Sequence, residues 1–300
     1  MRNKTLLQVR ILGLAVALVL PVIGSAQTLE RVKEAGVLNV GFVQDAAPFS
    51  SASADGQGTG YSIELCQRVA GAVKTKLGLS ALQVKYKATS VSAGLANVGG
   101  DIDILCGSVT DTLARRADVS FSIPIYNGGI GALLSKKAPS DLVNVLKGKE
   151  AKPGPKWRAT INRGLANHTY AVHGGTVTED WVRERIATLG VIATIVVAEQ
   201  HQAGVDMVED GEADAYFADR AILFQFANDK KYSDLMVLDR YFTFEPIALA
   251  VARGDDDMRL VVDTVLSELY RSDDFKSIYE RYFGAQSDVT QMLFKVYSRQ

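Results

Sequence analysis

The chain has 300 residues, 33 Lys and Arg against 34 Asp and Glu, a formal net charge of −1, 47% hydrophobic residues and two cysteines. That length suits two lobes of ordinary size, and the balanced, mildly acidic charge argues against nucleic acid or an anionic membrane surface as partner. Only three histidines are present, without a Ser-His-Asp order, an H-E-x-x-H run or a metal-spaced Cys/His cluster, so no metal and no other cofactor is expected.

Met1 to Ala26 reads as a secretory leader: Arg2, Lys4 and Arg10 begin it, Ile11 to Gly24 is its apolar core, and Gly24-Ser25-Ala26 offers small residues for cleavage near Ala26. No cysteine near that point suggests a lipid anchor, and no later run is long enough to span a membrane. Without the three leader cations the remaining chain carries a charge of −4.

From there strand-like runs alternate with helical patterns, as in an α/β architecture. Val37 to Val43 is a strand; Tyr61 to Leu77 is a helix with Leu65, Val69, Val73 and Leu77 on one face and Gly78 as its stop. Leu82–Lys87, Ile102–Leu105 and Ile130–Leu134 are further strands, the last running into Lys136-Lys137-Ala138-Pro139, where the chain can leave one lobe. Lys149 to Asn167, with Pro153, Pro155 and Trp157, reads as a surface excursion. A second series follows: strand His168–Val172, helix Thr178–Leu189, strand Ile192–Val197, helix Gln202–Glu209, strand Ala213–Ala218 ending at Asp219, and strand Leu235–Leu238. Ile247 to Ala252 is a candidate return strand before helices at Asp256–Arg271 and Asp273–Phe283. Val289, Met292, Leu293, Val296 and Tyr297 recur at helical spacing, so the tail either docks as a helix or frays. Cys66 and Cys106 fall in one lobe, as a bridge or as two buried thiols.

The run Cys106 to Pro124 is locally odd. Its Gly-Ser-Val-Thr-Asp-Thr stretch offers hydroxyls, loop amides and a helix N-cap at Thr112, yet Arg115 and Arg116 follow where cations oppose a helix dipole. An anion held by an arginine would explain this; pairing with Asp111 or Asp118 is the plainer account.

The series Thr110-x-Thr112-x-x-Arg115 with Phe121-Ser122-x-Pro124 resembles the signature of the bacterial family 3 solute-binding proteins, extracytoplasmic amino-acid receptors of ABC importers. Gly36–Gly41, Pro48-Phe49, Gly60-Tyr61, Gly175-Thr176, Gly211–Ala215 with Asp219, and Tyr282-Phe283-Gly284 follow that family's order over roughly residues 28 to 285. Cys106-Gly107-Ser108-x-Thr110 is most similar to its glutamate/aspartate-type members.

The resemblance implies a two-lobed type II periplasmic-binding-protein fold with two hinge strands and a ligand cleft between the lobes. It places lobe 1 at 27–133 and 247–300, lobe 2 at 134–246, and an insertion at about 149–167. It implies a monomeric periplasmic receptor, not an enzyme, that captures an L-amino acid by lobe closure and delivers it to an inner-membrane ABC permease. Arg115 and Thr110 would take the ligand carboxylate, with Thr176 across the cleft; Asp219 and Ser108 would take the ammonium. Ser90 and His201 match polar positions that touch the side chain. Val43 and Ala93 stand where glutamate/aspartate-type members carry arginines, so a neutral or amide side chain is expected ahead of an acidic one. The same fold also hosts exported cyclohexadienyl dehydratases, and the same cleft serves sensory receptors; these are the alternative readings.

Overall fold

The computed structural model describes residues 28–149 and 162–300. The leader Met1–Ala26 and the portion of the excursion carrying Trp157 lie outside the described residues. Two five-stranded sheets organise the rest. The first runs in the order Gln83–Ala88, Val37–Phe42, Ile104–Leu105, Ala250–Ala252, Val119–Phe121, with its first three strands parallel and the Ala250–Ala252 strand antiparallel to both its neighbours. Leu38, Val40 and Phe42 alternate into the core as a period-two pattern requires. The helix Tyr61–Lys76 lays Leu65, Val69 and Val73 into the same core, each fully removed from water. Burial of one such side chain contributes about 2 kcal/mol.

Cys66, on that helix, is joined to Cys106 at the end of the Ile104–Leu105 strand, with 6.5 Å between the Cα atoms. The bridge closes a loop of 40 residues, and constraint of the unfolded chain by a loop of that size is worth about 4 kcal/mol. It also ties the root of the Ser108–Arg115 loop to a buried helix.

The second sheet runs Thr194–Ala198, Thr169–His173, Ala215–Asp219, Ile130–Ser135, Leu235–Val237. Its first three strands are parallel and Ile130–Ser135 is antiparallel to both its neighbours. Ile130–Leu134 therefore begins the second lobe, whereas the sequence had suggested an exit from the first lobe at 133/134. All five residues are buried, and an interior strand covered on both faces has no polar alternation that would assign it to either sheet.

Two short antiparallel strands join the lobes, Tyr126–Gly128 and Glu245–Ile247, with Glu245 opposite Gly128 and Ile247 opposite Tyr126. The apolar run Ile247–Ala252 is accordingly divided. Its first residue belongs to this hinge and Ala250–Ala252 to the first sheet. Between them the Ala248 amide donates to the Val109 carbonyl at 3.0 Å and the Leu249 amide to Ser122 Oγ at 3.1 Å.

The C-terminal helices Asp256–Tyr270 and Asp274–Phe283 return to the first lobe, where Tyr279 and Phe283 meet Phe49 and Tyr126 in an aromatic cluster. The tail docks as the helix Asp288–Tyr297, capped by Ser287. Its anchor is Phe294, set against Tyr270 and Phe275, while Val289, Met292 and Val296 stay exposed. No helix among the described residues is long and apolar enough to cross a membrane.

Candidate functional site

A narrow cavity of about 40 Å³ lies between the two sheets against the hinge, and Ser108, Thr110, Arg115, Thr176, His201 and Asp219 all line it. The loop that brings the first three is zipped to the hinge strand: Thr110 bridges to Ile247, and the Asp111 amide donates to the Pro246 carbonyl at 2.9 Å. Thr112 Oγ1 does accept the Arg115 amide, at 3.1 Å. What it caps is a single 3-10 turn, Arg115–Ala117, not the helix expected there, so no extended macrodipole acts on the arginines.

The two arginines divide the two readings between them. Arg116 forms a two-pronged pair with Asp111, at 2.6 Å and 2.5 Å, and is exposed. Arg115 turns into the cavity, where its Nη1 donates to the Thr110 carbonyl at 2.9 Å. Burial pulls its pKa below the usual value, with Glu245 and Asp180 partly restoring the charged form. A half-buried guanidinium of five donors is well suited to a carboxylate.

Thr176 caps the helix Val177–Leu189: its hydroxyl accepts the Glu179 amide and donates to the His173 carbonyl at 2.7 Å. Gly175 ahead of it adopts φ +68°, and a Cβ there would come 3.0 Å from Ser92 Oγ on the opposite lobe. Only glycine combines that backbone with so close an approach.

Asp219 ends the strand Ala215–Asp219 and caps the helix Arg220–Ala227 through the Ala221 amide at 2.8 Å. Its other oxygen accepts the Gly129 amide at 3.2 Å. The residue keeps some exposed surface while its carboxylate is enclosed. Burial pushes its pKa up to about 6, against the pull of the Ala221 and Gly129 amides, and the charge of Glu245 adds to the rise.

His201 is buried, not at the surface, and belongs to a hydrogen-bonded row. Its Nε2 shares a proton with His173 Nδ1 at 2.9 Å and its Nδ1 meets the Tyr216 hydroxyl at 2.6 Å. The backbone amide of His201 donates to Asp45 Oδ2 of the opposite lobe at 2.5 Å. Desolvation lowers the pKa of both histidines, most strongly that of His201.

Ser90 is not brought together with the others. It is exposed, caps the helix Val91–Asn97 through the Ala93 amide at 3.2 Å, and lines a neighbouring compartment with Val43, Asp45 and Glu199. His173 lines both spaces. Phe49 and Tyr126 pack in the aromatic cluster behind the hinge.

Two ionisable cavity residues escaped the sequence reading. His173 ends the strand Thr169–His173 directly before Gly174-Gly175-Thr176, a position that could have flagged it. Glu245 opens the hinge strand, and no periodicity marks it. Its Oε1 accepts the Thr243 hydroxyl at 2.8 Å and its Oε2 the Thr110 hydroxyl at 3.3 Å. The cavity thus sets one guanidinium beside two carboxylates, a pattern complementary to a small molecule that carries both signs of charge.

The bacterial extracellular solute-binding proteins, family 3, match residues 38–285. The L-glutamate/L-aspartate-binding protein of Pseudomonas aeruginosa PAO1 is 30% identical over 259 residues, 85% of this chain and 80% of that protein. The L-cystine-binding protein of Escherichia coli K12 is 28% identical over 88% of both chains. Among solved structures, a variant of ArgBP from T. maritima aligns with a TM-score of 0.69 at 22% identity, over 85% of this chain and 99% of that one. An ancestral amino acid-binding protein, a precursor of cyclohexadienyl dehydratase, aligns at 0.67 and 24% identity over 86% and 100%.

Proposed function

The chain belongs to the bacterial extracellular solute-binding proteins, family 3, and from that premise we propose that its cleft captures an L-α-amino acid by lobe closure and that an inner-membrane ABC permease reads the closed form. The observation that carries this reading is the placement of Arg115 and Asp219 on one cavity wall each, from different lobes. A zwitterion stripped of water needs both partners, because an unpaired buried charge is prohibitive. Arg115 takes the carboxylate with the Thr110 loop. Asp219 takes the ammonium, with Ser108 completing the shell, while Thr176 faces the carboxylate from across the cleft. Contacts to both lobes at once bias the equilibrium toward closure, since only the closed form supplies them all.

The preferred side chain is neutral or an amide. Arg115 is the one cation among the described residues of the cavity, and it is committed to the head group, so a second ligand carboxylate finds no partner. His201 and His173 offer polar contacts at the far end. We place the mature protein, cut near Ala26, in the periplasm as a monomer.

Thermal unfolding of the ligand-stripped protein against the L-amino acids and prephenate tests the proposal, because a cleft ligand stabilises by mass action. Stabilisation by neutral amino acids is expected. Arg115→Ala should weaken their binding at least thirtyfold, the scale of about 2 kcal/mol for a lost charge-assisted pair, with unfolding otherwise unchanged. Retained affinity in that variant, or consumption of prephenate by the unmodified protein, would overturn the assignment.

A further inference from the structure

Glu245 has no role in the head-group scheme above, yet it stands among the residues that carry it. It lines the cavity from the hinge strand and is close enough to Arg115 and Asp219 to act on the charge of both. Its carboxylate is held by two hydroxyls, Thr243 Oγ1 and Thr110 Oγ1, and Thr243 Oγ1 is in turn fixed by the Ile130 amide at 3.0 Å. Among the described residues neither Glu245 nor Asp219 has a cation within ion-pair distance. Two carboxylates sharing one enclosed space repel unless a cation lies between them.

We propose that Glu245 is a second acceptor for the ligand's α-ammonium, opposite Asp219, so that the ammonium is clasped between the hinge and the second lobe. This rests on the amino-acid reading above and deepens it by naming the selective group. Each face of the clasp has its own origin. Asp219 moves with the second lobe, whereas Glu245 is fixed to the crossing strand beside Gly128. The Thr110 hydroxyl, expected to serve the ligand carboxylate, instead orients Glu245, and its loop partner Arg115 is left to face that carboxylate from the first lobe. The site therefore selects for an amino group over a hydroxyl at the α-carbon: a hydroxyl brings no charge to set between two acids.

The test compares dissociation constants of unmodified protein and Glu245→Gln for each L-amino acid that binds, and for the 2-hydroxy acid of the same side chain. Glu245→Gln should lose about tenfold or more in affinity for the amino acid, the scale of one hydrogen bond to a charged group, and little for the hydroxy acid. The preference for amino over hydroxy should shrink by the same factor. Unchanged amino-acid affinity, or equal loss for both compounds, overturns the role of Glu245. Thr243→Val, which removes one of the hydroxyls that aim the carboxylate, should shrink the same ratio and decides the matter if Glu245→Gln does not fold. If the unmodified protein binds no amino acid, the reading beneath falls and this inference with it, an outcome distinct from binding that Glu245→Gln leaves intact.

Discussion

At Asp219 the same enclosure that suits an ammonium makes the empty site sensitive to pH. Its pKa of about 6 means that the ammonium proposed to bind there, which needs the carboxylate ionised, competes with a proton below that value. Amino-acid affinity should be flat above pH 7 and fall toward tenfold per pH unit below 6, measured by titration calorimetry; affinity unchanged to pH 5 would contradict the enclosure. The histidine pair bears on stability instead. His173 and His201 are held below the ordinary imidazole pKa by burial, so as pH falls through about 6.5 the unfolded chain takes up protons that the folded chain refuses. Their contribution is full above that pH and is lost below it, by at most about 2.7 kcal/mol per pH unit for two protons. Asp219 works the other way, since its raised pKa lets the folded chain protonate first between pH 6 and 4. Urea unfolding of the unliganded protein should therefore show a falling midpoint from pH 7 to 5.5, and His201→Asn should flatten that slope; an equal slope in the variant would remove the pair as its cause.

Among the elements, the hinge carries a tight steric demand. A Cβ on Gly128 would collide with Asp219 Oδ2 and lie 2.8 Å from Ile247 Cδ1, so a side chain there would have to displace the acid. Gly128→Ala should push the carboxylate out of line and weaken amino-acid binding by about tenfold or more, the scale of one hydrogen bond to a charged group, with a smaller proportional effect on unfolding. Calorimetry beside thermal unfolding separates the two, and a loss confined to stability would contradict the assignment. The elements also show where pattern reading succeeds. Tyr61–Lys76 was legible because an amphipathic stripe and a stop glycine at Gly78 are local signals. Arg115–Ala117 was misread as a helix start because a capping threonine looks the same whether three residues or fifteen follow it.

For the molecule as a whole, closure is written in contacts that cross the cleft. Asp45 of the first lobe accepts the His201 amide of the second, and Ser92 lies against Gly175. Asp45→Ala removes the first of these without touching Arg115 or Asp219, so small-angle scattering should report a more open average shape of the unliganded protein, with ligand affinity reduced through the closing equilibrium. An unchanged scattering profile would show that the Asp45 contact follows closure and does not favour it.

The family, the α/β class and six of the cavity residues were present in the chain as ordered local signals: Thr110-x-Thr112-x-x-Arg115, Gly175-Thr176, and a strand ending at Asp219. These survive in one dimension because caps, turns and strand ends are set by neighbouring residues. The division of Arg115 from Arg116, the burial of His201 beside His173 and the arrival of Glu245 in the same cavity as Asp219 were decided only by tertiary structure. Each depends on residues far apart in the chain meeting across a hinge, and the charge a carboxylate or imidazole carries there is fixed by the solvent it has lost and the partners it has met.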